Sequence, residues 1–241
     1  MSRQGKEYLS EVINAIQCTP DAFRIRLEDD RFLFSIMTTD TKTQDWFSVS
    51  AIYDSICEID KRIKYAFGQA ISYNLSETLE GFNSFSKLSS EEEAALYHVE
   101  NIVLRVSILW DLLAQLCNVI YHTGISVDRI YYNRYFTKYS QGEEAIDIVK
   151  EIKTYIDQDE DLESDTTPWL GNHKFLNDYR NQLTHKISPS VSSISTLGFT
   201  LRPPTMYVLH RAVEDYYAVS AFLCRLVNEF LEDYKDWLPF E

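Results

Sequence analysis

Residues 89–120 read SSEEEAALYHVENIVLRVSILWDLLAQLCNVI. Leu96, Val99, Val103, Val106, Trp110, Leu113, Cys117 and Ile120 recur at three and four residues without a fault, which is the period of an amphipathic helix. Ile102, Leu109 and Leu116 widen that stripe until only a narrow polar strip remains, holding Glu100, Asn101, Arg105, Asp111 and Gln115. A helix this apolar is packed on several sides, and its few polar residues need partners. Ser90 and Glu93 have the spacing of a capping box at its start. This helix is the expected centre of an all-α, antiparallel multi-helix bundle.

The rest of the chain supplies helices to pack on it. Residues 6–17 carry Leu9, Val12, Ile13 and Ile16 on one side, and from Val49 onward Ile52, Ile56, Ile59, Ile63, Ala66, Ala70 and Tyr73 alternate by four and three. A second piece at 77–85 follows a break near Asn74. Residues 143–156 form a further amphipathic helix. The last helix spans 205–237, with Met206, Leu209, Val213, Tyr216, Ser220, Leu223, Val227, Phe230, Tyr234 and Trp237 in heptad spacing. Between these, residues 22–38 alternate as a small β-hairpin would, or form irregular cover. Residues 157–165 are an acidic solvated loop, and 188–204, rich in Ser, Thr and Pro, read as a long loop. The expected division is a helical extension over 1–85 and a helical domain over 86–241.

Composition agrees with a helical fold that buries a proper core. Seven Gly and six Pro in 241 residues leave little room for a turn-rich β fold. Cys18, Cys57, Cys117 and Cys224 are scattered with no CxxC pair; the last three fall in apolar helical segments and read as buried thiols in a reducing compartment. No signal-like N-terminus is present and no stretch approaches a membrane span, so a cytoplasmic protein without membrane contact is expected. The formal net charge of −14 argues against a general nucleic-acid binder. Two basic islands depart from that balance: 170–190 holds Lys174, Arg180 and Lys186 against Asp178, and 121–139 holds Arg129, Arg134 and Lys138 against Asp128. Such islands on an acidic body suit a small or transient phosphate ligand.

Residues 170–189 read LGNHKFLNDYRNQLTHKISP, an isolated helix closed by Pro189. Leu176, Tyr179 and Leu183 mark its buried side, and Arg180, Asn181 and His185 fall outside that stripe. Asn181 and His185 stand one turn apart, so the amide can orient the imidazole. A permanent cation beside a group that titrates near neutrality is a pair suited to phosphate chemistry. The ordinary account of the same residues is a helix end, with His185 favoured by the dipole and Arg180 paired to Asp178 or another acid.

Arg180-Asn181-Gln182-Leu183-Thr184-His185 resembles the Arg-polar-x3-His signature of HEPN domains, the higher eukaryotes and prokaryotes nucleotide-binding family. The Glu100-Asn101…Arg105…Trp110-Asp111…Gln115 helix, Tyr131-Tyr132-Asn133 and the Asn172-His173-Lys174 lead-in resemble those of one bacterial branch, over roughly residues 90–235. The resemblance implies a metal-independent endoribonuclease that acts as a homodimer with no cofactor, of toxin or phage-defence type. It implies His185 as general acid/base in attack of a ribose 2′-hydroxyl on its own phosphate. Arg180 would stabilise the phosphate oxygens, and Asn181 would hold the imidazole or line the pocket.

Asp111, Glu100, Arg105, His173, Lys174, Lys186, Tyr132 and Arg134 stand as supporting or substrate-side candidates. Asp111 or Glu100 would tune His185, whereas paired buried charges account equally for Glu100, Arg105 and Asp111. The Tyr131, Tyr132, Arg134, Tyr135, Lys138 and Tyr139 group is either a stacking platform with cations or packing between helices. The alternative function is a non-catalytic HEPN module that binds a nucleotide or a protein partner, such as an antitoxin.

Overall fold

The computed structural model describes residues 3–17, 41–73, 83–160, 168–185, 188–195 and 198–235, with backbone only for 3–4, His185, Ser193, Ser195 and 198–200. The expected hairpin at 22–38, most of the 77–85 piece, residues 161–165 of the acidic loop, Cys18, Lys186 and Trp237 lie outside the described residues.

Among the described residues seven α-helices make an all-α bundle: α1 (Arg3–Ala15), α2 (Thr41–Ser72), α3 (Ser90–Ile120), α4 (Tyr132–Tyr139), α5 (Asp147–Ile156), α6 (Asn172–His185) and α7 (Thr205–Asp233). Helix α2 begins eight residues before the apolar repeat at Val49, because Trp46 also faces inward and packs on Phe230 with ring centroids 6.1 Å apart. Helix α4 forms where the sequence left the structure open. The segment 188–204 holds a two-stranded antiparallel hairpin, β1 (Ser193–Ser195) and β2 (Gly198–Thr200), with Ile194 opposite Phe199.

Helix α3 is central, packing on α2, α4, α6 and α7. Its start is capped one residue earlier than expected. The Ser89 side chain accepts from Glu92 N, and Ser89 N donates back to Glu92 Oε2 at 3.1 Å. The run of two serines and three glutamates holds two registers of the same motif, and the first is the one formed. By length and composition α3 could cross a membrane, contrary to the expectation that no stretch comes near; 56% of its apolar window is buried in the bundle, while Tyr97, Leu104 and Ile108 are exposed.

One core joins the N-terminal helices to the rest: Leu9 and Ile13 of α1 and Trp46, Val49 and Ile63 of α2 share it with Trp110, Phe136, Ile152, Leu176 and Leu209. The expected burial of the thiols divides. Cys117 is buried, Cys57 half-buried and Cys224 exposed, because Cys224 sits on the outer side of α7 between the inward positions Leu223 and Val227.

Helix α7 carries four buried ionisable residues, His210, Arg211, Glu214 and Asp215. Glu214 accepts from Tyr8 Oη at 2.9 Å, Trp169 N at 2.7 Å and Asn172 Nδ2 at 3.0 Å, and pairs with His210 Nε2 at 2.9 Å. Burial alone would push its carboxyl up, but His210, the Trp169 N–H and Tyr8 outweigh that and hold it below the ordinary value. Arg211 donates to Leu170 O at 2.7 Å and Asn172 Oδ1 at 3.0 Å, with its guanidinium against the rings of Trp169, Phe175 and Tyr207. This network pins the residues just before α6. Gly171 completes the entry: its φ is +72°, and a Cβ there would lie 2.6 Å from Glu160 N.

Candidate phosphate site between three helices

A cleft of about 850 Å3 opens between α3, α4 and α6, lined by Asp111, Tyr131, Tyr132, Asn133, Arg134, Thr137, Lys138, Asn177, Arg180 and Asn181. Local periodicity explains the lining. In α4, Tyr132, Tyr135, Phe136 and Tyr139 are buried at three- and four-residue spacing, which leaves Asn133, Arg134, Thr137 and Lys138 on the opposite face. In α6, Leu176 and Tyr179 face the core, so Asn177, Arg180 and Asn181 turn to the cleft. His185 is the last residue of α6, one turn beyond Asn181 along the same row.

Three cations and one carboxylate line this space. Arg134, Lys138 and Arg180 form no ion pair among the described residues, although the chain has 37 acidic side chains. Arg134 rests over the ring of Tyr131, 5.4 Å from its centroid, and Tyr131 is 59% exposed. Lys138 donates to Tyr139 Oη at 2.9 Å. Arg180 Nε is buried with no hydrogen-bond partner among the described residues. Asp111 accepts from Tyr132 N at 3.3 Å, at the first turn of α4. Burial raises its carboxyl pKa, and the Tyr132 N–H and the Arg180 charge oppose the rise only in part.

Tyr132 joins the cleft to the core. Its hydroxyl lies 3.1 Å from His173 Nε2 and 3.3 Å from Asn177 Oδ1, with the Arg180 guanidinium beside it. Burial pushes the phenol up to about 12, against the pull of Arg180. His173 Nδ1 lies 3.4 Å from Asp215 Oδ2 but makes no hydrogen bond among the described residues, and Asp215 accepts from Trp110 Nε1 and Tyr155 Oη, each at 3.0 Å.

The cleft therefore gathers Arg180, Asn181, Asp111, Tyr132 and Arg134 from the sequence candidates. It does not gather His173, Lys174, Arg105 or Glu100, while the His185 side chain and Lys186 lie outside the described residues. His173 is buried, edge-on to Trp110 at 4.7 Å. Lys174 is exposed and paired with Asp159. Arg105 folds back along α3 to Asn101, donating to its Oδ1 at 2.8 Å. Glu100 is half-buried eleven residues before Asp111, about 16 Å along the helix; burial raises its carboxyl pKa, opposed by Ser190. Of the aromatic group, Tyr132, Tyr135 and Tyr139 are packing residues, and Tyr131 stands out in solvent.

Asn177 and Thr137 joined the site unannounced, as did Asp215 behind it, while Asn133 had been named only as part of the Tyr131-Tyr132-Asn133 resemblance. Asn177 could have been found by stepping back one turn from Asn181. The charged cluster at 210, 211, 214 and 215 could have been found as two i,i+4 pairs inside an otherwise apolar helix, where such residues need partners. No protein-family model matches the chain, and neither a curated protein nor a solved structure shows significant similarity to it.

Proposed function

We propose that the chain is a cytoplasmic HEPN-type endoribonuclease, of toxin or phage-defence kind, whose cleft holds the scissile phosphodiester. The observation that carries this reading is the set of three cations, Arg134, Lys138 and Arg180, that line one cleft of a strongly acidic chain without an ion-pair partner among the described residues. Cations with no carboxylate within ion-pair distance among the described residues, and only Asp111 acting on Arg180 and Glu144 on Lys138 from further off, are suited to an external anion, and the guanidinium fork of Arg180 matches two phosphoryl oxygens.

In the reaction, the ribose 2′-oxygen attacks the adjacent phosphorus and the bond to the 5′-oxygen breaks. A base takes the 2′-hydroxyl proton, and an acid returns one to the leaving 5′-oxygen. His185 supplies that acid/base function, Asn181 lies one turn before it, and Arg180 stabilises the charge that builds on the non-bridging oxygens. The products are a 2′,3′-cyclic phosphate and a 5′-hydroxyl. A homodimer brings two such helices to one substrate. The chain's acidity limits affinity to a short contact: three cations give a salt slope of at most about −2 on single-stranded RNA.

The test is incubation of the purified full chain with single-stranded RNA in EDTA. Cleavage leaving cyclic phosphate ends, lost about a hundredfold in His185→Ala and in Arg180→Ala, supports the reading. No cleavage, or equal cleavage by the variants, removes the enzymatic claim. RNA binding without cleavage would leave a nucleotide-binding module.

A further inference from the structure

We propose that the protein carries a second binding site, for a neutral apolar molecule of about two fused rings that bears one hydroxyl. The site is a cavity of about 270 Å3 where the end of α1 meets α2, α3 and α7. It lies apart from the cleft and does not depend on how the cleft is read. Ile16, Tyr53, Ile56, Leu109, Leu223 and Val227, all buried, form most of its wall. A dry apolar cavity of roughly 150 Å3 takes benzene, so this one has room for a body nearly twice that size. Such walls favour a ligand over water, because a buried water needs about two to four polar partners.

The polar part of the wall sets the head group. Tyr216, Ser220, Leu223 and Val227 fall on one row of α7 at three- and four-residue spacing. The Tyr216 hydroxyl donates to Asp60 Oδ1, and Lys64 Nζ lies 3.1 Å from Asp60 Oδ2. The one carboxylate on the wall is therefore already offset by a lysine, which suits a neutral head group better than an ion. Ser220 is 7% exposed, lines the cavity and has no hydrogen-bond partner among the described residues. A buried hydroxyl without a partner is costly. A ligand hydroxyl supplies that partner, since each group can donate or accept.

The probes are 2-naphthol and naphthalene, each followed by its own fluorescence as the full chain is added. 2-Naphthol should bind the wild type and slow alkylation of the Cys224 thiol, which lies on the cavity wall, by iodoacetamide, read by mass spectrometry of its peptide. Ser220→Ala should keep naphthalene binding, while the affinity ratio of 2-naphthol to naphthalene falls roughly 2- to 12-fold, the loss of one hydrogen bond. Comparing ratios removes the difference in hydrophobicity between the probes. Val227→Phe fills the cavity and should abolish binding of both. If that variant does not fold, Cys224→Trp, at an exposed position of the wall, serves in its place. No binding of either probe to the wild type would overturn the site, as would binding that neither protects Cys224 nor responds to the filling variants. An unchanged ratio in folded Ser220→Ala would overturn the assignment of the head group.

Discussion

Glu214→Gln is the most informative change to the scaffold that presents α6. The carboxylate serves two donors on each oxygen: Tyr8 and His210 on Oε1, Trp169 N and Asn172 Nδ2 on Oε2. An amide keeps the volume but has one acceptor oxygen, so two of the four donors face an NH2 group in either orientation. Each stranded buried donor costs about 1–3 kcal/mol, giving about 2–6 kcal/mol. Breaking a buried hydrogen-bonded pair by removing one partner, here the contact with His210, is of the same size, about 3–5 kcal/mol. These describe one event and are not additive, so about 3–5 kcal/mol is expected at pH 7, or a fall in Tm of roughly 6–20 °C.

The pH dependence identifies the cause. A carboxyl held below its ordinary value contributes stability above its unfolded pKa and loses it as pH falls through the folded one. The gap between wild type and Glu214→Gln, read from urea melts, should be full above about pH 5 and narrow below it. A gap under about 0.5 kcal/mol at pH 7, the size of an ordinary surface substitution, would refute the reasoning. So would a gap that does not change with pH.

Gly171→Ala should destabilise by about 2–5 kcal/mol in the same melts, combining a left-handed backbone with overpacking against residue 160. Asp111→Asn removes a partly desolvated charge and a competitor for Arg180 while keeping an acceptor for Tyr132 N. Because that carboxyl is raised, its ionised form costs the folded state once pH passes the unfolded pKa. The variant should therefore gain stability relative to wild type at pH 7 but not at pH 3, and bind phosphate more tightly. Tyr131→Ala should leave the melt within about 0.5 kcal/mol and weaken single-stranded RNA by roughly 5- to 150-fold, the loss of one stacked base.

The bundle was legible because α3 and α7 carry long apolar repeats that no other element type accommodates. Helix α4 was obscure for a physical reason: eight residues hold barely two turns, and its buried face is made of tyrosines, which read equally well as a binding surface. Only burial separates Tyr132, Tyr135 and Tyr139 from the exposed Tyr131. Half of the cleft was visible because Arg180 and Asn181 lie together on one helix. Arg134 and Asp111 were named as candidates, but their meeting with Arg180 depends on how three helices pack. His173 shows the limit of motif reading. A polar residue beside a candidate site faced the core instead, edge-on to Trp110 with its Nε2 3.1 Å from Tyr132 Oη.

The most direct measurement is calorimetric titration of a non-cleavable 2′-O-methyl RNA oligonucleotide into wild type and Arg180→Ala. The account predicts binding that weakens as salt rises and falls at least tenfold in the variant, with the melt of the protein little changed. Equal affinity in the two proteins, or none in either, would contradict it.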